Sequence, residues 1–312
     1  MKKMRKAVLL FSDGLDSMLA GLILRKQGIS IIALRLITPF FGWKYKNSPE
    51  KFYQKVKELG FEKGILIDIT TEFLEVLKSP KYGYGSYANP CIDCKILMLK
   101  KAYQVMKEEQ ADFIATGEVL GQRPMSQNKN SLELIEKRAG VEGKVLRPLS
   151  ALYLKPTEAE EKGLVDRNKL FAIRGRKRTE QLKLAKDFGI KDIPSPSGGC
   201  LLTDPQIGSR VLKVLKEKRP LNPKTCEFLT FGRHIMEEGL WIVLGRNQEE
   251  NKRLETLAGS EFLKFRLDVP SPTAVVLQGN PPIEFVEELL IKYSKKAREA
   301  IKQGRQVKCI SW

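Results

Sequence analysis

Short apolar runs alternate with helically spaced stretches through the first half of the chain. Lys6 to Phe11 (KAVLLF) is a compact run of the kind a strand buried on both faces requires. Leu15 to Lys26 spaces its apolar residues as a helix does, and Ser30 to Ile37 returns to a strand pattern. Pro49 to Leu59 is predicted as a helix stopped by Gly60, Gly64 to Ile69 as a strand, and Ile92 to Glu109 as a long helix. Asp112 to Thr116 and Lys144 to Arg147 complete the predicted strands. Strands alternating with helices predict an α/β fold, a parallel sheet with helices on both faces. Ligands of such sheets bind beyond the carboxyl ends of the strands. The loops at Ser12, Thr38 and Gly117 are therefore expected to share one crevice.

From about Pro220 the rhythm changes. Cys226 to Ile235, Trp241 to Gly245, Phe262 to Leu267 and Ala274 to Gln278 read as strands with few helices between them. Ile283 to Ile301 reads as a closing helix. This predicts a small C-terminal α+β domain over 220–312, preceded by a first domain over 1–204 and a linker or helix over 205–219. The candidate joints are Pro194-Ser195-Pro196-Ser197-Gly198-Gly199 and Lys218-Arg219-Pro220.

Composition adds a partner class. The 312 residues are 42% apolar and 29% charged, which is consistent with a folded core. The basic start is followed by an apolar stretch of only Ala7 to Phe11, too short for a secretory signal. No apolar run is long enough to span a membrane, so no membrane is expected and the cytoplasm is the expected compartment. Lys and Arg number 55 against 37 Asp and Glu, a net charge of +18. That excess implies a polyanion partner, with RNA or DNA leading; a Lys/Glu-rich heat-stable surface would lie nearer balance. Arg167 to Lys191 holds nine basic and two acidic residues. Within it Arg174, Arg176, Lys177 and Arg178 repel one another unless an anion is near, and they are the candidate phosphate contacts, although a solvated helix face explains part of the run.

The loop Phe11-Ser12-Asp13-Gly14-Leu15-Asp16-Ser17 follows the first strand and opens the first helix. Free amides and the positive helix end there suit an anion. Gly14 allows close backbone approach, Ser12 and Ser17 can donate to phosphate oxygens, and Asp16 can hold magnesium. No Gly-Lys-Ser/Thr follows, so this is not a Walker loop, and a plain helix cap would use the same residue types.

The cysteines are Cys91, Cys94, Cys200, Cys226 and Cys309. Asn89-Pro90-Cys91-Ile92-Asp93-Cys94-Lys95 sets two of them at a helix start, where thiol pKa values fall. Cys200 follows Ser197-Gly198-Gly199, a turn that leaves a thiol approachable. Three approachable thiols suit an iron–sulfur cluster with one open iron, zinc with an outside fourth ligand, or persulfide chemistry on a pair. Buried structural cysteines give the same count. Cys226 and Cys309 lie in apolar, strand-like segments and are assigned to packing. His234 is the sole histidine, which excludes any scheme needing two.

The phosphate loop resembles the PP-loop, Ser-Gly-Gly-X-Asp-Ser, of ATP pyrophosphatases that cleave ATP between the α and β phosphates. Asp13 stands where the first Gly is usual, so either the backbone geometry differs or the carboxylate turns away. With Asn-Pro-Cys-X-X-Cys and a later cysteine, the chain looks like the tRNA thiouridine synthetases. Thr116-Gly117-Glu118-Val119-Leu120-Gly121-Gln122, followed by Ser126-Gln127, resembles the Thr-Gly-Glu-Ser-Leu-Gly-Gln…Ser-Gln stretch of the 4-thiouridine synthetases, and Leu146-Arg147-Pro148-Leu149 matches their next segment. The resemblance covers roughly 6–204; the last hundred residues look similar to an NFACT-type RNA-binding module. Because the PP-loop begins at residue 12, RNA capture is expected from that module and the 167–191 stretch rather than from a preceding extension.

The resemblance implies adenylation of a uracil carbonyl, followed by displacement of AMP by sulfur. Ser12, Asp13, Gly14, Asp16, Ser17, Gly117 and Gln122 would bind ATP, with Asp16 on Mg2+. Cys91, Cys94 and Cys200 would hold a [4Fe-4S] cluster; alternatively they bind zinc, or Cys200 carries a persulfide that Cys94 resolves. The implied partners are tRNA and a sulfur donor, sulfide or a cysteine desulfurase, with 4-thiouridine favoured over 2-thiouridine. An exposed target base could stack on Phe40, Phe41 or Trp43, which would equally make a lid or an adenine pocket. The rival readings are a PP-loop ligase or amidotransferase acting on a small metabolite, and a non-catalytic RNA-binding protein.

Overall fold

The computed structural model describes residues 5–193, 199–237 and 239–312. The basic start at 1–4, and all of the candidate joint at 194–199 except Gly199, lie outside the described residues. The chain divides into two compact units, Met1–Thr203 and Asp204–Trp312. Among the described residues no helix is long and apolar enough to cross a membrane.

In the first unit β1 (Lys6–Leu10) leads through α1 (Leu15–Lys26) to β2 (Ser30–Ile37). Then come α2 (Pro49–Glu58), β3 (Lys63–Asp68), α3 (Thr70–Lys78), α4 (Cys91–Glu108) and β4 (Phe113–Thr116). α5 (Lys129–Ala139), β5 (Val145–Leu146), the single turn α6 (Glu158–Glu161) and α7 (Thr179–Asp187) complete it. The five predicted strands are all present and pair in parallel in the order β3-β2-β1-β4-β5. Alternate residues of each central strand enter different cores. Ala7, Leu9, Ile31, Ala33, Phe113 and Ala115 meet α1, α2 and α7 residues such as Met18, Phe52 and Ala185. Val8, Ile32, Leu34 and Ile114 meet Leu99, Ala102 and Ile135 of α4 and α5. Burial on both faces explains why these strands are continuous apolar runs. The strand order reverses beside β1, so the ends of β1 and β4 diverge into the crevice where such sheets bind ligands.

The second unit runs α8 (Pro205–Lys216), α9 (Pro223–Leu229), β6 (Arg233–Glu237), β7 (Leu240–Leu244), α10 (Gln248–Ala258), β8 (Lys264–Leu267) and β9 (Ala274–Gln278). It closes with α11 (Ile283–Tyr293), α12 (Lys295–Lys302) and β10 (Cys309–Ser311). The strands form an antiparallel sheet, β10-β8-β9-β7-β6. One face packs Ile242, Leu244 and Val276 against Val286, Leu290 and Ala297 of α11 and α12. The small C-terminal domain is thus α+β, as the rhythm predicts.

Three details differ from the sequence pattern. Cys226 to Ile235 is a helix followed by a strand, because Pro223 starts α9 and Asn222 caps it, its side chain accepting from the Thr225 amide at 2.9 Å. Cys226 is buried for packing, but on that helix. The closing helix is broken at Ser294, whose hydroxyl donates to the Pro270 carbonyl and accepts from the Ala297 amide to start α12. Helices are more frequent between the strands than expected; α10, capped by Asn247, separates β7 from β8.

Candidate active site

Pairing of β1 with β2 persists through the Phe11 amide, which donates to the Leu34 carbonyl at 2.8 Å, and the chain then turns. Two serines brace the turn from within. The Ser12 amide and hydroxyl donate to Ser17 Oγ at 3.2 and 3.1 Å, and the Ser17 hydroxyl donates to the Gly14 carbonyl at 2.8 Å. The Gly14 amide donates to Ser12 Oγ at 3.3 Å. Asp13 has φ of +61°, the left-handed region that glycine occupies without penalty and that costs another residue about 1 kcal/mol or more. Its carboxylate turns aside to accept from the Tyr45 hydroxyl at 2.6 Å and from Lys44 Nζ at 2.9 Å. The backbone therefore keeps a glycine shape and the side chain leaves the turn. Burial, then the bond to Asp13, pushes the Tyr45 phenol far above its ordinary range.

Asp16 lies in the first turn of α1. Its Oδ2 accepts from Gln122 Nε2 at 2.9 Å, while Oδ1 is buried with no partner among the described residues. A buried, orphaned carboxylate oxygen beside a helix start suits a cation, and the neighbouring hydroxyls suit phosphate oxygens. These residues thus fit a magnesium nucleotide. Gly117, just past β4, presses on the same place. A Cβ there would stand 2.5 Å from both the Asp16 carbonyl carbon and the Ser17 nitrogen, so only glycine fits.

Glu118 is the centre of a buried ionic network. Arg147 Nε donates to its Oε2 at 3.1 Å, and Lys95 Nζ lies 3.2 Å from its Oε1. Arg147 also pairs with Glu136. Burial alone would raise the Glu118 pKa, but Lys95 and then Arg147 outweigh it and hold the carboxylate down to about 2. Lys95 directly follows Cys94, so the network ties the start of α4 to the loop that packs on Asp16.

Cys91 opens α4 and Cys94 lies one turn on. Asp93 Oδ1 and Oδ2 accept from the Lys81 and Tyr82 amides at 3.2 and 3.0 Å and fasten the preceding loop. Asn89 Nδ2 donates to Cys91 Sγ at 3.2 Å. Cys200 is drawn in from far along the chain, because the next amide, Leu201, donates to the Phe40 carbonyl beyond β2 at 2.8 Å. Two of the thiols are shifted by their surroundings. Burial, then Cys200 and less strongly Cys91, pushes the Cys94 thiol far up, only partly opposed by Lys95. Burial, opposed by the Leu202 amide and reinforced by Cys91, pushes Cys200 up to about 11. The lowered pKa expected of a helix start is thus overridden at Cys94 by burial. Such a donor set of soft thiols fits an iron–sulfur cluster, whose metal ions displace the thiol protons. Among the described residues, no three His, Cys, Asp or Glu side chains are already gathered to hold a single metal ion.

The basic segment reaches this region through its backbone. The Gly175 amide donates to the Leu120 carbonyl at 2.7 Å, and Arg174 bridges Leu120 in parallel. Arg174, Arg176 and Lys177 are exposed and Arg178 half-buried, with no carboxylate partner among the described residues. Arg174 lies 5.0 Å over the exposed Tyr153 ring. Of the candidate stacking residues, Phe40 is fully buried against Phe73 and cannot meet a base. Phe41 packs edge-on to Phe73, and Lys46 lies over the Trp43 ring.

Arg35, near the end of β2, is buried beneath the turn. Its Nη1 donates to the Phe11 carbonyl at 3.3 Å and its Nε has no partner among the described residues. A cavity of about 550 Å³ opens beside Asp13 and is lined by Tyr45, Lys51, Lys55 and Lys191 among others. Sequence reasoning gave no role to Asn89, Lys95, Glu118, Arg147 or Arg35. The first four lie inside motifs already singled out; Arg35 carries one signal, a charge within an apolar strand.

The thiamine biosynthesis protein (ThiI) family matches residues 3–155. A probable tRNA sulfurtransferase of Thermococcus kodakarensis is 27% identical over 148 residues, 47% of this chain and 37% of that protein. Another, from Methanothermobacter thermautotrophicus, is 27% identical over 224 residues, 70% of this chain and 50% of that protein. This chain therefore spans between about a third and a half of these relatives. Among solved structures, a 4-thiouridine synthetase–RNA complex with bound ATP is 23% identical, with a TM-score of 0.42, covering 72% of this chain and 52% of that one. The U34-tRNA thiolase NcsA of Methanococcus maripaludis with its [4Fe-4S] cluster is 18% identical, with a TM-score of 0.36, covering 72% and 71%.

Proposed function

We propose that this chain is an ATP-dependent tRNA sulfurtransferase that adenylates a uracil carbonyl and replaces its oxygen with sulfur, 4-thiouridine being the favoured product. One observation carries the reading. Lys95, directly after Cys94, binds Glu118, next to the glycine that packs on the Asp16–Ser17 peptide. We read the cysteine pair and the phosphate loop as parts of one site. The family match and the sulfurtransferase relatives support the coarser reading, sulfur transfer to tRNA.

A carbonyl oxygen is a poor leaving group, and adenylation corrects this. The uracil oxygen attacks the α-phosphorus, the bond to the β-phosphate breaks, and pyrophosphate leaves. Sulfur then adds to the ring carbon and AMP departs with the original oxygen. Asp16 would hold the magnesium that neutralises the phosphates, through the oxygen that now lacks a partner. Ser12, Ser17 and the Gly14 amide would contact phosphate oxygens, at the cost of their mutual bonds. Gln122 would keep Asp16 oriented. Asp13, its carboxylate held by Lys44 and Tyr45, would meet the phosphates through its backbone. Arg174, Arg176, Lys177 and Arg178 would hold the RNA backbone, and sulfide or a cysteine desulfurase would supply sulfur. A [4Fe-4S] cluster bound through Cys91, Cys94 and Cys200 would supply an iron site for the incoming sulfur.

The test is incubation of anaerobically purified, cluster-reconstituted protein with ATP, magnesium, sulfide and unmodified tRNA, followed by mass spectrometry of the nucleosides. A 4-thiouridine peak is expected. ATP cleavage without any thiolated nucleoside would replace this reading with a ligase acting on a small molecule.

A further inference from the structure

The second unit contains a cavity of about 580 Å³ whose charged lining is basic. Arg210 and Lys213 reach it from α8, Arg233 from β6 and Arg246 from the turn after β7. Among the described residues no Asp or Glu lines it. Three carboxylates stand outside the lining: Glu250 at 2.6 Å from Arg246, Glu217 at 3.7 Å from Lys213, and Asp204, whose charge acts on Arg210. The cations are held mainly by uncharged groups. Arg210 donates to the carbonyls of Leu229, Phe231 and Gly232 at 2.6, 3.4 and 3.3 Å. Lys213 Nζ donates to the Met236 carbonyl at 2.9 Å, and the Arg233 guanidinium lies 4.0 Å over the Tyr293 ring. Such partners fix position without cancelling charge. Burial and then Arg246 lower the Arg210 pKa, as expected of like charges held together.

The histidine at this cavity is a brace and not a ligand. Trp241 Nε1 donates to His234 Nδ1 at 2.9 Å, so Nε2 carries the hydrogen, facing the Phe228 and Phe231 carbonyls at 3.1 and 3.0 Å. Its hydrogen-bonding capacity is spent within the unit.

We propose that this cavity binds a phosphate of the RNA backbone, giving the second unit its own grip on the substrate. This deepens the tRNA-modifying reading and rests on it. Arginine's planar fork matches phosphate oxygens, and cations set on a helix and a hairpin can meet successive phosphates along one strand. Contacts of this kind position an RNA without reading its sequence.

The test uses the full chain carrying Lys213→Gln with Arg233→Gln and a fluorescent unmodified tRNA, with binding followed by anisotropy over a salt series. The slope of log affinity against log salt should become shallower by about 0.7–0.9 for each phosphate that the variant no longer neutralises. Arg233→Lys alone keeps the charge and should retain most of the slope. A double variant that melts with the wild type yet shows unchanged slope and affinity overturns the proposal. Wild-type protein that binds no RNA overturns both the proposal and the functional reading. Altered binding without any thiolation leaves the cavity standing and removes the chemistry. If inorganic phosphate at matched ionic strength raises the wild-type melting temperature while the double variant binds RNA normally, the cavity serves a free anion and the RNA proposal falls.

Discussion

The two sheets differ in where they leave polar groups unsatisfied. Among the described residues of the first unit Asp16 Oδ1, Arg35 Nε, Gln127 Oε1 and Arg147 Nη2 are buried without partners, as are atoms of Gln27, Tyr82 and Gln181; Asp16 and Arg35 lie at the phosphate turn. Among the described residues of the second unit there is no such atom. Its buried Arg219 is fully engaged, donating to the Glu237 and Leu240 carbonyls and to the side chains of Glu217 and Gln278. An orphaned buried group costs stability and persists where something else will bind it. A fully satisfied interior with a surplus of cations in a cavity instead suits a ligand held by charge.

Four perturbations sharpen that contrast. The largest effect is expected from Glu118→Gln, which strands Lys95 and part of Arg147. A loss of about 3 kcal/mol, read by denaturant unfolding, is the scale for breaking one side of a buried ion pair. The same change at the half-exposed Glu158, paired with Lys144 and Lys162, should cost less than about 1 kcal/mol, and equal losses would show that burial does not set the difference. Asp16→Asn comes next. AMP formation should fall by about a hundredfold or more with folding stability unchanged or raised, because the orphaned charge is removed. Retained turnover would exclude Asp16 as the magnesium ligand.

The third concerns pH. His234 is held down to about 3 by burial, then by Arg210, so the unfolded chain takes up a proton below about pH 6.5 that the folded one refuses. Its stabilising contribution is complete above about pH 6.5 and shrinks as pH falls toward 3, by up to about 1.4 kcal/mol per pH unit. A His234→Gln variant should flatten that part of the stability profile; an unchanged slope would place the acid sensitivity elsewhere. The smallest effect is expected from Asp13→Gly. Relief of the left-handed backbone opposes removal of the bonds to Tyr45 and Lys44, so stability should shift by less than about 1 kcal/mol and ATP cleavage should persist. A melting shift well beyond that would mean one of the two contributions dominates.

The central strands were legible because each is buried on both faces, which writes an unbroken apolar run into the sequence. α9 was not, since Cys226-Glu227-Phe228-Leu229 reads equally as strand until the Asn222-Pro223 start is weighed. At the candidate site the motifs named residues but not distances. Nothing in spacing says that Lys95, Glu118 and Arg147 meet, or that Phe40 is core while Phe41 stays at the rim. Nor does it reveal that burial reverses the expected effect of a helix start on Cys94. Those facts depend on chain segments that meet only after folding.

A turn whose glycine geometry is carried by aspartate matches its motif in shape where it departs from it in letters. What identifies this turn is a positive φ, two serines bonded across it, and a lysine and a tyrosine 31 and 32 residues on that donate to the displaced carboxylate. Written in those terms the signature is a shape with a side-chain exit: the backbone keeps the turn while Lys44 and Tyr45 draw the carboxylate out of it.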